Sequence, residues 1–202
     1  MPNRPVLDFW YEFASPYSFL SALRIEPLAQ AAGVTLRWRP FLLGPIFAAQ
    51  GWTTSPFNIF PSKGRYMWRD TGRRAGKLGL SIVQPASFPQ NSLVAARIAL
   101  AGRDEGWTPA FSQALFRAEF CEGRDIADEA VLTAALRQAG ADATAAQSAS
   151  RSAETKGRLR AEIEYAKSIG IFGAPTFVTE DGELFWGDDR LEDALDWARN
   201  GR

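Results

Sequence analysis

Val6-Leu7-Asp8-Phe9-Trp10-Tyr11-Glu12-Phe13-Ala14-Ser15-Pro16-Tyr17-Ser18 is the stretch from which the architecture follows. Its first eight residues are apolar and aromatic with partial alternation, the pattern of a strand. Ala14-Ser15-Pro16 breaks that strand. From Tyr17 to about Ala32, the positions Phe19, Leu20, Leu23, Leu28 and Ala31 recur at helical spacing, and Gly33 supplies a stop. Pro27 is expected to kink or split this helix. Val34 to Pro40 alternates apolar and polar residues and reads as a second strand.

Downstream the character changes. Phe41 to Pro61 reads as irregular, with Gly44-Pro45, Gly51-Trp52, Ser55-Pro56 and Pro61 as breakers. From Ser62 to Gly170 nearly everything is helical in pattern. The expected helices cover about Ser62–Leu78, Asn91–Ala101, Pro109–Phe120, Asp128–Ala139 and Ala153–Ser168. Asp128 is an N-cap, and Ala141–Ser152 is a short helix with a turn. Strand character returns at Ala174–Thr179. Glu180-Asp181-Gly182-Glu183 carries a hairpin turn, and Leu184-Phe185-Trp186 is its partner strand. A last helix opens at Gly187-Asp188-Asp189-Arg190, where Asp189 and Glu192 have the spacing of a capping box. The order is βαβ, a helical block, then ββα. The two ends complete one another as an α/β thioredoxin-like fold with a large all-helical insertion. The expected domains are residues 1–40 with 171–202, discontinuous, and 41–170 as the insertion.

Composition narrows the chemistry. Lys+Arg and Asp+Glu both number 23, which gives no electrostatic reason for a nucleic-acid or acidic-membrane partner. There is no histidine, which removes Ser-His-Asp and Cys-His triads and most zinc sites. Cys121 is the sole cysteine, so neither an intrachain disulfide nor a Cys-x-x-Cys can form; as a lone cysteine it is expected to be buried and inert. The first five residues do not read as a signal peptide, and no apolar run approaches the ~18 residues of a membrane span. A soluble, reducing, cytoplasmic setting is the expectation.

In the thioredoxin order, the redox cysteines lie between the first strand and its helix. Here serines, Ser15 and Ser18, stand at those positions. Ser15 before Pro16 is a favoured helix start, typically worth about 1 kcal/mol over Ala. The same hydroxyl, with the unpaired N–H groups of a helix N-terminus, can also stabilise the thiolate of a bound thiol. Phe172-Gly173-Ala174-Pro175-Thr176-Phe177 has the form of a cis-proline loop, which would present the Ala174 backbone to a peptide ligand as an added strand.

These motifs resemble the 2-hydroxychromene-2-carboxylate isomerases and kappa-class glutathione transferases. Asp8 to Leu20, Pro61-Ser62-Lys63-Gly64-Arg65-Tyr66-Met67, Phe172 to Thr176 and Trp186-Gly187-Asp188-Asp189-Arg190 carry the likeness. The resemblance implies glutathione as cofactor and, usually, a homodimer. It makes Ser15 the contact to the glutathione sulfur, with Pro16 and Tyr17 beside it, and Lys63 an active-site lysine. It makes Ala174, before Pro175, the residue whose backbone pairs with the cysteinyl part, and Asp188 and Asp189 the grip on the γ-glutamyl end. The family's glutathione-binding Asn is absent from its usual place. Thr54 falls near that position, and Asn58 lies four residues on. Trp52, Phe57, Tyr66, Trp68 and Trp186 are candidates for a pocket that takes a small aromatic or conjugated substrate.

The activity implied is a glutathione-dependent cis–trans isomerisation in aromatic-compound catabolism, by reversible thiolate addition. Its rivals are a kappa-type transferase or peroxidase and a non-catalytic thioredoxin-like binding module.

Overall fold

The structure, a computed structural model, describes residues 4–201. Its sheet has four strands in the order β2-β1-β3-β4: β1 (Val6–Tyr11), β2 (Thr35–Pro40), β3 (Thr176–Thr179) and β4 (Leu184–Trp186). β1 pairs parallel with β2, with Phe9 opposite Trp38, and antiparallel with β3, with Phe9 opposite Phe177. The Asp181-Gly182 turn joins β3 antiparallel to β4.

β1 is central and covered on both faces, which is why its alternation is only partial. Leu7, Phe9, Tyr11 and Phe13 point into the larger core. There they meet Phe19 of α1 (Pro16–Ala22), Phe116 and Phe120 of α7 (Thr108–Phe120), and Leu195 of α11 (Leu191–Asn200). The Phe13 and Phe116 ring centroids are 5.1 Å apart. Trp10 points to the other face, packing edge-on against Phe41 at 5.7 Å, with the Arg39 guanidinium 4.4 Å from its ring centroid. Asp8, also buried, is paired with Arg37 and Arg39.

The helical block between β2 and β3 holds α5 (Pro61–Lys77), α6 (Leu93–Ala101), α8 (Glu129–Gln138), α9 (Ala143–Arg151) and α10 (Ala153–Ser168), besides α7. Asp128 caps α8 as expected, accepting from the N–H groups of Ala130 and Val131. No helix among the described residues is long and apolar enough to cross a membrane.

Three local expectations are corrected. The helix expected over 17–32 is split into α1 and α2 (Ile25–Ala32), and the break falls at Leu23-Arg24 rather than at Pro27. Pro27 sits in the first turn of α2, where a missing N–H forfeits no intrahelical bond. The segment expected to be irregular contains α3 (Gly44–Ala49) and α4 (Pro56–Ile59), each with proline in its first two positions, and Ser55 caps α4. The Asp189–Glu192 capping box does not form: residues 188–190 make a 3-10 turn, and Glu192 pairs with Arg24 instead.

Candidate active site

The site is built on the start of α1. Ser15, extended at φ −100° and ψ 113°, is the N-cap; its Oγ accepts the Ser18 N–H at 3.1 Å. Pro16 follows at N1, where its missing N–H leaves nothing unpaired. The one hydroxyl proton of Ser15 goes elsewhere: it is donated to the Ala174 carbonyl at 3.1 Å. The Ala174–Pro175 peptide is cis, and Thr176 Oγ1 fastens that loop by donating to the Gly173 carbonyl at 3.0 Å. The hydroxyl therefore bridges two segments 159 residues apart. At seven residues α1 is shorter than the sequence suggested, so its dipole is modest, and the hydroxyl becomes the principal polar feature.

A cleft of about 1110 Å³ opens above this bridge. Ser15, Pro16, Tyr17 and Ala174 lie along it. Lys63 and Tyr66 reach it from α5, and Trp52, Thr54 and Phe57 from the segment before α5. Trp186, Asp188 and Asp189 close the opposite side. Pro175 does not line the cleft but fixes Ala174, which does. Trp68 also stays out. It is two residues, hence about 200°, round α5 from Tyr66, and its ring packs against Phe88 at 5.0 Å and Phe120 at 6.3 Å. Of Thr54 and Asn58, only Thr54 faces the cleft. Asn58 supports it from behind, donating to Thr54 Oγ1 at 3.1 Å and to the Phe88 carbonyl at 3.0 Å.

Two glycines set the walls. A Cβ on Gly64 would lie 2.4 Å from the Phe57 carbonyl oxygen, so only glycine lets α5 cross this close to α4. A Cβ on Gly173 would lie 2.3 Å from Trp186 Nε1. Trp186, 51% exposed, thus sits against Gly173 by its indole nitrogen edge and packs edge-on with Phe172 at 4.9 Å, forming an aromatic lip.

The charges differ from the sequence expectation. Asp188 is 3% exposed and fully engaged. Its Oδ1 accepts from Ser21 Oγ at 2.8 Å and from Arg24 Nε at 3.2 Å, and its Oδ2 from Arg74 Nη2. Asp189 is open to solvent, and among the described residues its carboxylate pairs only with Arg190, at 3.2 Å. Lys63 is exposed, its ammonium 4.8 Å from the Phe60 ring centroid. The Tyr17 hydroxyl donates to Asp70 Oδ2 at 3.1 Å; burial and that carboxylate push its ionisation up, so it remains a phenol.

Beneath the cleft, Glu12 accepts from the Leu43 N–H at 2.9 Å and from the Ser92 hydroxyl, and burial raises its pKa. Glu119 is fully buried, and neither of its carboxylate oxygens has a partner among the described residues. Burial, and next the Glu12 charge, raise its pKa well above the carboxylate range. Cys121 is only partly buried, which corrects the expectation, and burial raises its thiol pKa.

Sequence reasoning missed Asp70, Arg74 and Glu12, all of which line the cleft. A signal was present for the first two. Lys63, Tyr66, Asp70 and Arg74 follow one another at helical spacings of three and four, so they form one stripe of α5. Glu12 is a second carboxylate, after Asp8, in a mostly apolar run, three residues before Ser15.

Comparisons with known proteins show the family. The family profile of the DSBA-like thioredoxin domain matches residues 6–196. A 2-hydroxychromene-2-carboxylate isomerase of Sphingobium xenophagum is 30% identical over 92% of this chain and 94% of its own. Glutathione s-transferase kappa 2 of Caenorhabditis elegans is 27% identical over 98% of this chain and 93% of its own. A solved 2-hydroxychromene-2-carboxylate isomerase superposes with a TM-score of 0.83 at 29% identity, covering 95% of this chain and 94% of that one. With its sheet order, its serine-capped first helix and its cis-proline loop all in place, the chain belongs to the DSBA-like thioredoxin family, alongside the 2-hydroxychromene-2-carboxylate isomerases and kappa-class glutathione transferases.

Proposed function

We propose that the chain is a glutathione-dependent isomerase of the 2-hydroxychromene-2-carboxylate type, interconverting cis and trans forms of a small conjugated acid in aromatic-compound catabolism. The observation that carries this reading is the Ser15 hydroxyl poised against the Ala174 carbonyl at the floor of an aromatic-walled cleft. The isomerases among the relatives support it.

The residues present fit glutathione. Ser15 offers a hydroxyl donor and Ala174 a carbonyl acceptor at the same spot, the pair a thiol on a peptide needs. When bound, glutathione would supply a thiolate that adds reversibly to a conjugated double bond, letting that bond rotate before it re-forms. The protein's contributions are separable. Ser15 has one proton to give, either to Ala174 or to an anion in the cleft, and giving it to an anion frees the Ala174 carbonyl for a ligand amide. Ser15, Pro16, Tyr17, Thr54, Lys63, Ala174, Pro175, Asp188 and Asp189 hold or shape the glutathione site. The exposed ammonium of Lys63 stabilises negative charge on the substrate oxygen or carboxylate. Trp52, Phe57, Tyr66 and Trp186 offer flat apolar faces to a conjugated substrate.

The domain division belongs to this proposal. Residues 1–40 and 171–202 supply the thiol site, while the 41–170 insertion supplies Lys63 and most of the aromatic wall. A homodimer in the cytoplasm completes the reading. The test is to mix the protein with the chromene acid, with and without glutathione, and follow absorbance; equal rates in both tubes would reject it. The kappa-class relatives favour a second reading that uses the same glutathione site, a transferase. It is separated by product: a conjugate or oxidised glutathione in place of an isomer.

A further inference from the structure

Four carboxylates line the cleft: Glu12, Asp70, Asp188 and Asp189. Three are paired with cations, Asp70 with Arg73, Asp188 with Arg24 and Arg74, and Asp189 with Arg190. Glu12 has no cationic partner among the described residues; neutral donors hold it instead. Its Oε1 accepts from the Ser92 hydroxyl and from the Ala14 N–H at 3.5 Å, and its Oε2 accepts from the Leu43 N–H at 2.9 Å. Ala14, Leu43 and Ser92 all line the cleft themselves, so the carboxylate is set in the cleft wall, although Glu12 is only 6% exposed. The Glu12 carbonyl also accepts the Ser15 N–H at 3.0 Å, which ties the residue to the serine of the thiol site. The Glu12 charge reaches a second acid, Glu119 of α7, which is wholly buried, has no hydrogen-bond partner among the described residues, and also feels Asp125. Two carboxyls so placed do not both ionise readily. Glu119, without a donor, is the one held neutral, and Glu12, cradled by three, is the one that exchanges a proton with the cleft. The other ionisable groups of the lining are committed. Tyr17 is a phenol bonded to Asp70, Lys63 and Arg74 are cations, and Tyr66 is an exposed phenol. The chain has no histidine to do this work.

We propose that Glu12 is a catalytic acid–base that opens the substrate ring, taking the proton of the ring hydroxyl and returning it to the ring oxygen. This rests on the reading of the chain as an isomerase of the 2-hydroxychromene-2-carboxylate type. In a 2-hydroxychromene one carbon carries both the hydroxyl and the ring oxygen, so the molecule is a cyclic hemiketal. Its double bond lies inside the ring and cannot rotate there; ring opening has to come before the cis–trans step. Glu12 takes the hydroxyl proton, and the electron pair left on that oxygen forms the C=O bond of a ketone. The bond from that carbon to the ring oxygen breaks, its electron pair stays on the aryl oxygen, and Glu12 gives the proton back to that oxygen as a phenol. The carboxylate ends as it began, and nothing is oxidised or reduced. The new ketone is conjugated with the double bond and so prepares it for thiolate addition. Glu12 therefore acts before the thiol does, on a different bond. A carboxylate in an apolar wall with no neutralising cation is a stronger base than its ion-paired neighbours.

The test compares two substrates in the presence of glutathione. One is the chromene acid; the other is its open-chain cis form with the phenol methylated, which cannot close into a ring. The proteins are wild type, Glu12→Gln and Glu12→Asp. Glu12→Gln keeps the side-chain shape and an acceptor for the Leu43 N–H, and a thermal melt with a glutathione titration checks that the fold and the thiol site persist. Glu12→Gln is expected to slow turnover of the chromene acid by about 10²- to 10⁴-fold, the range for a lost general acid–base, and to slow the open-chain acid far less. Glu12→Asp recovers part of the chromene activity. For wild type, kcat/KM on the chromene acid falls on the acid side as Glu12 takes up a proton, and that limb is missing with the open-chain acid and in Glu12→Gln. Wild-type chromene turnover by Glu12→Gln, or an equal loss on both substrates, overturns the assignment alone. A wild type that isomerises neither substrate, or both equally well without glutathione, takes down the isomerase reading beneath it.

Discussion

Replacing Ser15 by alanine separates a helix cap from a thiol receptor. In the structure the hydroxyl accepts from the Ser18 N–H at 3.1 Å and donates to the Ala174 carbonyl at 3.1 Å, with the residue 8% exposed. Losing the cap costs about 1 kcal/mol. Losing the bridge to the cis-proline loop costs about 0.5–1.5 kcal/mol more. A total near 2 kcal/mol lowers the melting temperature by about 4–8 °C in a chain of this size. The fold survives, because the sheet and the hydrophobic cores are untouched. The chemistry changes by a different measure. A donor aimed at developing negative charge is typically worth about 10²–10³ in rate, and one charged hydrogen bond lost from a thiolate raises its pKa by about one unit or more. The assays are urea unfolding, turnover on the chromene acid, and the thiolate absorbance of bound glutathione against pH. A variant that loses the stability but keeps wild-type turnover and an unshifted thiol titration would refute the thiol role and leave Ser15 as a helix cap only.

Glu119→Gln should stabilise the protein increasingly as pH rises. The folded-state pKa of Glu119 lies above its unfolded value of about 4.3, so above that value the unfolded chain gives up a proton that the native state retains. Wild type then loses stability relative to the amide variant through that window; melting curves at pH 4 and pH 8 showing the same gap would contradict this. Lys63→Met should fold normally, since the side chain is exposed, but lower kcat by about 10²-fold through loss of a charge aimed at the substrate; unchanged kcat with raised KM would make Lys63 a binding group only. Gly173→Ala should drive Trp186 off the loop, because its Cβ would sit 2.3 Å from the indole nitrogen. The expected readouts are a shifted tryptophan emission and a raised KM for the conjugated substrate, against an unchanged spectrum if the ring does not move.

The architecture was legible because its signals are local. The aromatic run at 6–13, the Asp181-Gly182 turn and the Asp128 cap each declare themselves within a few residues. What escaped depended on partners far along the chain. Asp188 could be named as a site residue, but its engagement by Arg74, 114 residues earlier, left no mark in either local pattern. The same holds for the absent capping box, since Glu192 meets Arg24 across 168 residues. Pro27 misled because a proline inside an apolar periodicity reads as a break, whereas one in a first turn fits a fresh start. The cleft wall was half legible: the α5 stripe of Lys63, Tyr66, Asp70 and Arg74 is periodic, yet only Lys63 and Tyr66 were singled out. Trp68 shows the converse, an aromatic whose side of the helix decides its fate.

The place of β1 in the middle of the sheet has a consequence for how the molecule is made. Its neighbour β3 begins at Thr176, so during synthesis the helical block emerges before the most aromatic strand gains its second flank. Long-range pairings of this kind are slow to form and leave sticky surface uncovered meanwhile. The helices of the middle block emerge earlier, and Phe116 and Phe120 can shelter Phe13 and Phe19 ahead of sheet closure. Only when the β3 segment docks can Ser15 and Ala174 meet, so the bridge at the floor of the cleft cannot form before that.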